Sequence, residues 1–325
     1  MKKNSLVSVV IPNYNHAPYL SKRIESVLAQ TYQNFELIIL DDCSTDGSRD
    51  IIERYAAQDD RIQTFFNVTN SGSPFVQWNK GVASAQGTYV WIAESDDYAD
   101  EHLLDRLIAP LEDNDEVGIA YCQSHVVDEQ GDIIDNMKRW TDELSLQKWE
   151  NDYMNDGKDE CRYYLAYKAT IPNASAVVFK KEYYEAAGMA DESFTACGDW
   201  FMWIKVLLQC DVYFVSDSLN YFRRHNQSTR VYKEHDKVLI NVAEQYRVLG
   251  LLLKSIDFSS REKDQLLRYY FERSFELLPV SLKFSGKFFK YLAKIAKIDQ
   301  KAYIRCVFAI FKRCITYLPE KVTNN

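Results

Sequence analysis

The sequence predicts an α/β fold: a mostly parallel, doubly wound sheet flanked by helices, followed by a helical C-terminal extension. Short apolar runs rich in β-branched and aromatic residues alternate with amphipathic stretches of roughly 10–15 residues, the pattern of right-handed strand–helix–strand crossovers. Three of these runs end in polar clusters, PNYN, DD and ESDD, the last two acidic. In a parallel sheet the three ends lie on one edge, where open α/β sheets take their ligands. From Lys237 onward the pattern is helical throughout.

Residues 6–11 form the first apolar strand, closed by Pro12, Asn13, Tyr14, Asn15 and His16. A helix follows from about Pro18, where a missing N–H costs nothing, with Leu20, Ile24, Val27 and Leu28 on one face. Residues 35–40 are a second buried strand ending in Asp41 and Asp42, and Ser44 or Thr45 can cap the helix carrying Ile51, Ile52, Tyr55 and Ala56. A third strand, 61–66, leads through a small polar loop, 67–74, to a helix around Trp78, Val82 and Ala85. The run that begins at Thr88 then ends abruptly in Glu94, Asp96 and Asp97. Three carboxylates at one strand end repel one another unless a cation or a ligand's donors sit between them, so the chemistry is expected there.

After a helix marked by Leu103, Leu104, Leu107 and Ile108, a strand is expected at 117–123 and a hairpin at 126–134 around Gly131. Residues 141–160, acidic, aromatic and poorly periodic, read either as a loop over a cleft or as a plain surface excursion. A strand at 172–179 and a short helix at 182–187 precede residues 194–208, where Asp199 stands at a helix start with Trp200, Trp203, Ile204 and Leu207 behind it. Asp199 reads equally as a helix cap and as a carboxylate at the crevice. Strands at 212–215 and 219–222 end in Arg223, Arg224 and His225, the last being either a hydrogen-bonded strand-end residue or a metal ligand. The extension carries Ile240, Val242, Tyr246, Leu249 and Leu253, then Leu266, Tyr270, Phe271, Phe275 and Leu278. Residues 281–318 read as a basic amphipathic helix pair, suited to anionic lipid or to packing against the body or a sister subunit. Two domains are expected, 1–230 and 231–325.

Composition narrows the function classes. The formal charge of −8 hides an asymmetry: residues 279–325 hold ten Lys or Arg against two acids, so this tail is +8 and the remainder −16. A basic tail on an acidic body suggests an anionic partner surface, membrane lipid or nucleic acid. The seven cysteines are scattered without a CxxC pair, which argues against a disulfide framework or a zinc knuckle and for a reducing cytoplasm. The N-terminal apolar run is about six residues long, too short for a signal peptide, and no run approaches the roughly 20 residues that cross a bilayer.

An acidic crevice rejects a phosphate unless a divalent cation neutralises it. The oxygens of Asp96 and Asp97 suit Mn²⁺ or Mg²⁺, and the His225 imidazole would favour Mn²⁺. Neither GxxxxGK[ST] nor GxGxxG is present, so ATP hydrolysis and dinucleotide binding have no support. A metal-held nucleoside diphosphate is a good leaving group from a sugar's anomeric carbon, provided that a carboxylate apart from the metal deprotonates the incoming hydroxyl. Asp199 is the candidate.

Residues 7–48, Asn70-Ser71-Gly72, residues 78–97, the ACGDW run ending at Trp200 and Arg223-Arg224-His225 together resemble the family 2 glycosyltransferases, inverting nucleotide-sugar enzymes of the GT-A fold. The resemblance covers about the first 230 residues. It implies that Pro12, Tyr14 and Asn15 line the base and ribose, that Asp42 accepts from the base N–H, and that Asn79 also meets the nucleotide. Glu94-Ser95-Asp96 stands where the family has its DxD. Asp96 and Asp97 would share ribose and metal contacts, His225 would close the metal site, and Asp199 would be the base. The resemblance further implies a nucleotide-sugar donor, most often UDP-linked, with Mn²⁺ or Mg²⁺. Its acceptor would be a glycan or lipid-linked glycan at the inner face of the cell membrane in bacterial surface-polysaccharide assembly. No nucleic-acid partner is implied, and a homo-oligomer is left open. Two residues depart from the pattern: Glu94 replaces the usual first Asp, and Trp78 stands where many members have Arg, which transfers one phosphate contact to another residue such as Lys80 or Arg224. A sugar nucleotidyltransferase would carry a Gly-rich, basic loop in place of residues 12–16, and a catalytically silent relative would lack Asp96, Asp97 or Asp199, all of which are present.

Overall fold

The computed structural model describes residues 4–225 and 235–277, with a few isolated positions up to 304. The chain divides into two compact units, Met1–Ser228 and Thr229–Asn325. The first unit opens as the apolar runs predict: β1 (Val7–Asn13), α1 (Ala17–Leu28), β2 (Phe35–Asp41), α2 (Ser48–Ala56), β3 (Ile62–Phe66), α3 (Pro74–Ser84) and β4 (Tyr89–Ile92). It continues with β5 (Tyr98–Ala99), α4 (Leu103–Asp113), β6 (Val117–Val127), β7 (Ile133–Asn136), α5 (Lys138–Asp142), β8 (Tyr153–Asn155), α6 (Gly157–Glu160), β9 (Val177–Lys180), α7 (Lys181–Ala186), α8 (Gly198–Leu207) and β10 (Asp211–Arg223).

The sheet order is β3-β2-β1-β4-β9-β6-β10-β5, with β7 paired to β6 and β8 to β10. β3, β2, β1 and β4 are parallel, and β1 and β2 are buried along their whole length, as strands covered on both faces must be. β9 then runs antiparallel to both of its neighbours, β4 and β6, and β10 is parallel to β6. Two reversals restore the direction, so β6 and β10 point the same way as β4. The C-terminal ends of β1, β2, β4 and β10 therefore share one edge.

Helices cover both faces. On one, Leu20, Ile24 and Val27 of α1, Ile52 of α2 and Leu104 and Leu107 of α4 pack on Val9, Ile11, Leu37 and Ile39. On the other, α3 lies so close that a Cβ at Gly81 would fall 2.3 Å from Val10 Cγ1, and Trp203 of α8 meets Phe179 of β9 with the rings tilted at 56° and their centroids 5.6 Å apart.

Several boundaries differ from the sequence reading. The strand expected at 172–179 is a 3₁₀ turn, Ala174–Ala176, followed by the four-residue β9. The two strands expected at 212–215 and 219–222 are one strand, β10, whose register shifts between Val215 and Asn220; a bulge interrupts the apolar alternation without ending the ladder. Residues 141–160 form no structureless loop. Trp149 is buried and donates from Nε1 to Tyr121 Oη at 2.9 Å, and β8 pairs with β10. The hairpin forms as expected, Gly131 taking the positive φ of 98° that its turn requires.

In the second unit, α9 (His235–Ser255) and α10 (Ser260–Leu277) bury Val242, Tyr246 and Leu249 on one side and Leu266, Tyr270, Phe271 and Phe275 on the other, with Tyr246 and Tyr270 edge to face at 6.0 Å. The amphipathic pair expected at 281–318 lies outside the described residues. Among the described residues no helix is long and apolar enough to cross a membrane.

Candidate active site

The shared edge gathers most of the polar residues that the sequence singled out. β1 ends at Pro12 and Asn13, and Asn13 Nδ2 donates to Asp41 Oδ2 at 2.8 Å. Tyr14 stands 44% exposed. Asn15 adopts φ 55°, a left-handed conformation that Asn tolerates, and its Oδ1 accepts from Thr45 N–H at 2.8 Å. The loops after β1 and β2 are thus pinned to each other.

β4 runs into a turn in which Asp97 N–H donates to Glu94 O at 3.2 Å. Two arginines hold the carbonyls of this turn: Arg23 Nε on Glu94 O and Arg223 Nε on Asp96 O, each at 2.8 Å. With the main chain clamped from α1 and β10, consecutive carboxylates leave in different directions. Asp96 Oδ2 lies 3.0 Å from His225 Nε2. A nitrogen of His16, one of His225 and an oxygen of Asp96 all lie within 4.8 Å of one another. Two imidazoles and a carboxylate form a donor set that a divalent first-row cation accepts, so the residues fit the expected metal.

Asp97 is not part of this group. Its Oδ1 accepts from Arg223 N–H at 2.9 Å and its Oδ2 from Asn173 Nδ2 at 3.1 Å, so it ties β10 and the 3₁₀ turn to the end of β4. Both oxygens of Asp97, expected from the sequence as a metal ligand, are thus hydrogen-bonded, and Asp97 lies outside the group of His16, Asp96 and His225. Asn79, expected to meet the nucleotide, is engaged as well. Its Oδ1 accepts from Tyr184 Oη and Ala190 N–H, and its Nδ2 donates to Ala190 O and Glu192 Oε1, so the amide is spent on holding α3 against the segment after α7. Asp42 lies at the edge, but its buried carboxylate already accepts from Asn67 Nδ2, Ser71 N–H, Ser71 Oγ and Gln77 Nε2 at 2.7–3.0 Å. It organises the loop before α3.

Charge in the turn is divided unevenly. Burial pushes Glu94 up to about 8, with the neighbouring Asp96 charge adding to the rise and the hydrogen bond from Trp78 Nε1, at 2.8 Å, opposing it. Burial and Asp96 push Asp97 up to about 6. Burial also acts on Asp96, but the His225 hydrogen bond and the charge of His16 outweigh it and hold this carboxyl below its usual range. Asp96 is therefore the most readily ionised member of the trio. Burial lowers His16, and the neighbouring Asp96 charge opposes that shift.

Asp199 is half-buried at the second position of α8, and Cys197, not Asp199, occupies the N-cap. Its Oδ1 accepts from Trp200 N–H at 2.7 Å. One turn on, Trp203 meets Trp78 at 6.1 Å, and Trp78 in turn bonds Glu94. At Gly198 a Cβ would fall 2.3 Å from Phe75 Cζ, so only glycine brings the start of α8 this close to the start of α3. Helices that follow parallel strands begin at the strands' C-terminal edge, so the close approach sets Asp199 at that edge.

Residues 8–186 match the model of a protein family described as glycosyl transferase family 2. The chain belongs to this family. Glycosyltransferase GlyG of Streptococcus pneumoniae is 27% identical over 228 residues, which cover 69% of this chain and 73% of GlyG. The putative teichuronic acid biosynthesis glycosyltransferase TuaG of Bacillus subtilis is 46% identical over 92 residues, 28% of this chain and only 36% of TuaG. The S. aureus TarS 1–349 structure in complex with UDP-GlcNAc superposes with a TM-score of 0.68 at 20% identity, covering 91% of this chain and 81% of that one. The mannosyltransferase PcManGT of Pyrobaculum calidifontis, solved with GDP-Man and Mn²⁺, gives 0.58 at 17% identity, with 97% and 84% covered. The fold is the GT-A fold of these glycosyltransferases.

Within this family 2 glycosyltransferase, the two departures noted in the sequence touch each other: Trp78, standing where Arg is usual, donates to Glu94, standing where Asp is usual. Sequence reasoning missed His16, Arg23 and Arg223 as parts of the site. His16 had one signal, a ligating side chain in a strand-end loop. Arg23 had another, a charge on the apolar stripe of Leu20, Ile24 and Val27; it is fully buried against Trp91, and its Nη1 and Nη2 have no partner among the described residues.

Proposed function

We propose that this glycosyltransferase moves a sugar, with inversion, from a UDP-linked donor to a glycan or lipid-linked acceptor in bacterial surface-polysaccharide synthesis. The observation that carries the reading is the pairing of Asp96 with His225 across the strand edge, at 3.0 Å, in a fold shared with the UDP-GlcNAc complex of TarS. Asp96 and His225 would hold Mn²⁺ or Mg²⁺, whose charge offsets that of the departing pyrophosphate. Tyr14 offers an exposed ring for the base to stack on, with Pro12 beneath it and Asn15 beside the ribose. Asp42 meets the base N–H by releasing one of its four donors. Asp199 accepts the proton of the attacking hydroxyl, and α8 holds it away from the cation ligands as a base must be. Residues 279–325, basic and rich in apolar side chains by sequence, would make peripheral contact with the inner face of the membrane.

The deciding experiment measures binding of UDP, GDP, dTDP and CMP with Mn²⁺ and with chelator, then nucleotide release from the matching sugars. Metal-dependent binding of UDP alone is expected. Asp199→Asn should retain that binding while transfer falls by a factor of at least about 100. Binding of no nucleotide under either condition would refute the reading, and full turnover by D199N would remove Asp199 from the base role.

A further inference from the structure

The structure assigns His16 as a third metal ligand beside Asp96 and His225, completing a two-nitrogen, one-oxygen set that selects Mn²⁺ over Mg²⁺. The assignment rests on the proposed roles of Asp96 and His225 and adds a ligand that the family pattern did not supply.

Three observations carry it. The first is spacing. An ion with ligands at about 2.1 Å keeps them roughly 3 Å apart across a right angle and about 4.2 Å apart in line. His225 Nε2 and Asp96 Oδ2, at 3.0 Å, already have the right-angle spacing, and the three donor atoms lie within 4.8 Å of one another, near the in-line spacing. The second is orientation. His16 Nδ1 lies 2.8 Å from Ser95 Oγ, a buried hydroxyl in the same turn as Asp96. With Nδ1–H donating there, Nε2 carries the lone pair, and ligating imidazoles are characteristically aimed by a partner on the other nitrogen. The third is rigidity. The His16 and His225 rings meet edge to face at 5.5 Å, Tyr19 packs on His225 at 5.1 Å, and Asn15, at φ 55°, reverses the chain immediately before His16. A left-handed residue beside a ligating group is the kind of local strain that functional sites hold.

The chemical consequence is selectivity. Mg²⁺ takes oxygen ligands and loses its waters reluctantly, whereas Mn²⁺ stands higher in affinity for imidazole nitrogen. A second imidazole widens that difference.

The test titrates the full chain with Mn²⁺ alone, following free Mn²⁺ by electron paramagnetic resonance, and with Mg²⁺ alone by calorimetry. His16→Gln is expected to raise the Kd for Mn²⁺ at least about tenfold and that for Mg²⁺ by less than roughly threefold. A Mn²⁺ affinity for H16Q within about twofold of the wild type overturns the assignment while leaving Asp96 and His225 in place. A wild-type chain that binds no Mn²⁺ overturns both. Pulsed resonance of the Mn²⁺-loaded wild type, labelled with ¹⁵N-histidine, needs no variant to fold: two coordinated imidazoles are expected, and a single one overturns the assignment.

Discussion

Glu94 is the most perturbed carboxyl of the site, and its perturbation has a stability consequence. Its value in the folded chain, about 8, lies above the 4.5 of an ordinary glutamate, so between these values the folded chain holds a proton that the unfolded chain has released. Stability contributed by Glu94 therefore falls as pH rises through that window and levels off above it. Glu94→Gln keeps an oxygen for Trp78 Nε1–H and removes the titration. In chelator, its Tm is expected to decline less than the wild type's between about pH 5 and pH 8 and to be the higher of the two at pH 8. Parallel profiles would mean that Glu94 ionises freely. Asp96 and His225 were singled out in the sequence at this scale because a carboxylate or an imidazole at a strand end is a candidate cation ligand. The hydrogen bonds that Asp97 and Asn79 make were not foreseen by the same reasoning, since a residue's position in a motif does not tell which way its side chain will turn. Arg23 went unseen because its partners, Glu94 O and the carboxylates around it, are some 70 residues away in the chain.

Among the elements, α8 matters most, because the candidate base depends on where that helix begins. Gly198 meets Phe75 with no room for a Cβ, although its backbone conformation is one that any residue adopts. Gly198→Ala is therefore expected to cost about 1–3 kcal/mol by overpacking, read as a lower urea midpoint. It should also lower kcat more than nucleotide affinity, because the helix that carries Asp199 is displaced and the nucleotide side is not. Phe75→Leu in the same chain removes the obstructing ring edge and should recover part of kcat. Unchanged stability and turnover in G198A would show that the two helices do not pack in this way. The helix and strand periods placed α8, β1, β2 and β4 correctly. They failed for residues 141–160, where the buried Trp149 and the half-buried Tyr153 hydrogen-bond Tyr121, a contact with no sequence period.

At the scale of the whole molecule, the acidic first unit and the basic stretch 279–325 set an electrostatic expectation. The full chain is expected to float with vesicles containing anionic lipid, more weakly as salt rises, and a chain whose lysines and arginines in 279–325 are replaced by glutamine is expected to lose that flotation. Equal flotation of both would count against the membrane contact.

The sequence alone determined the α/β class, the parallel direction of the first four strands, the helical extension and the family, and it pointed to the strand edge as the place to look for the chemistry. Those conclusions follow from local periods and from residue types at strand ends, which neighbouring residues specify. Tertiary structure alone decided that β9 reverses and restores strand direction, so that His225 returns to the edge it shares with Asp96. It also decided that His16, and not Asp97, faces that pair, and that Arg23 and Arg223 clamp the turn between them. These are contacts between residues some 70 to 130 positions apart, or choices between opposite faces of one turn. Packing settles both, because clamping the main chain at two carbonyls leaves each carboxylate a single direction to take.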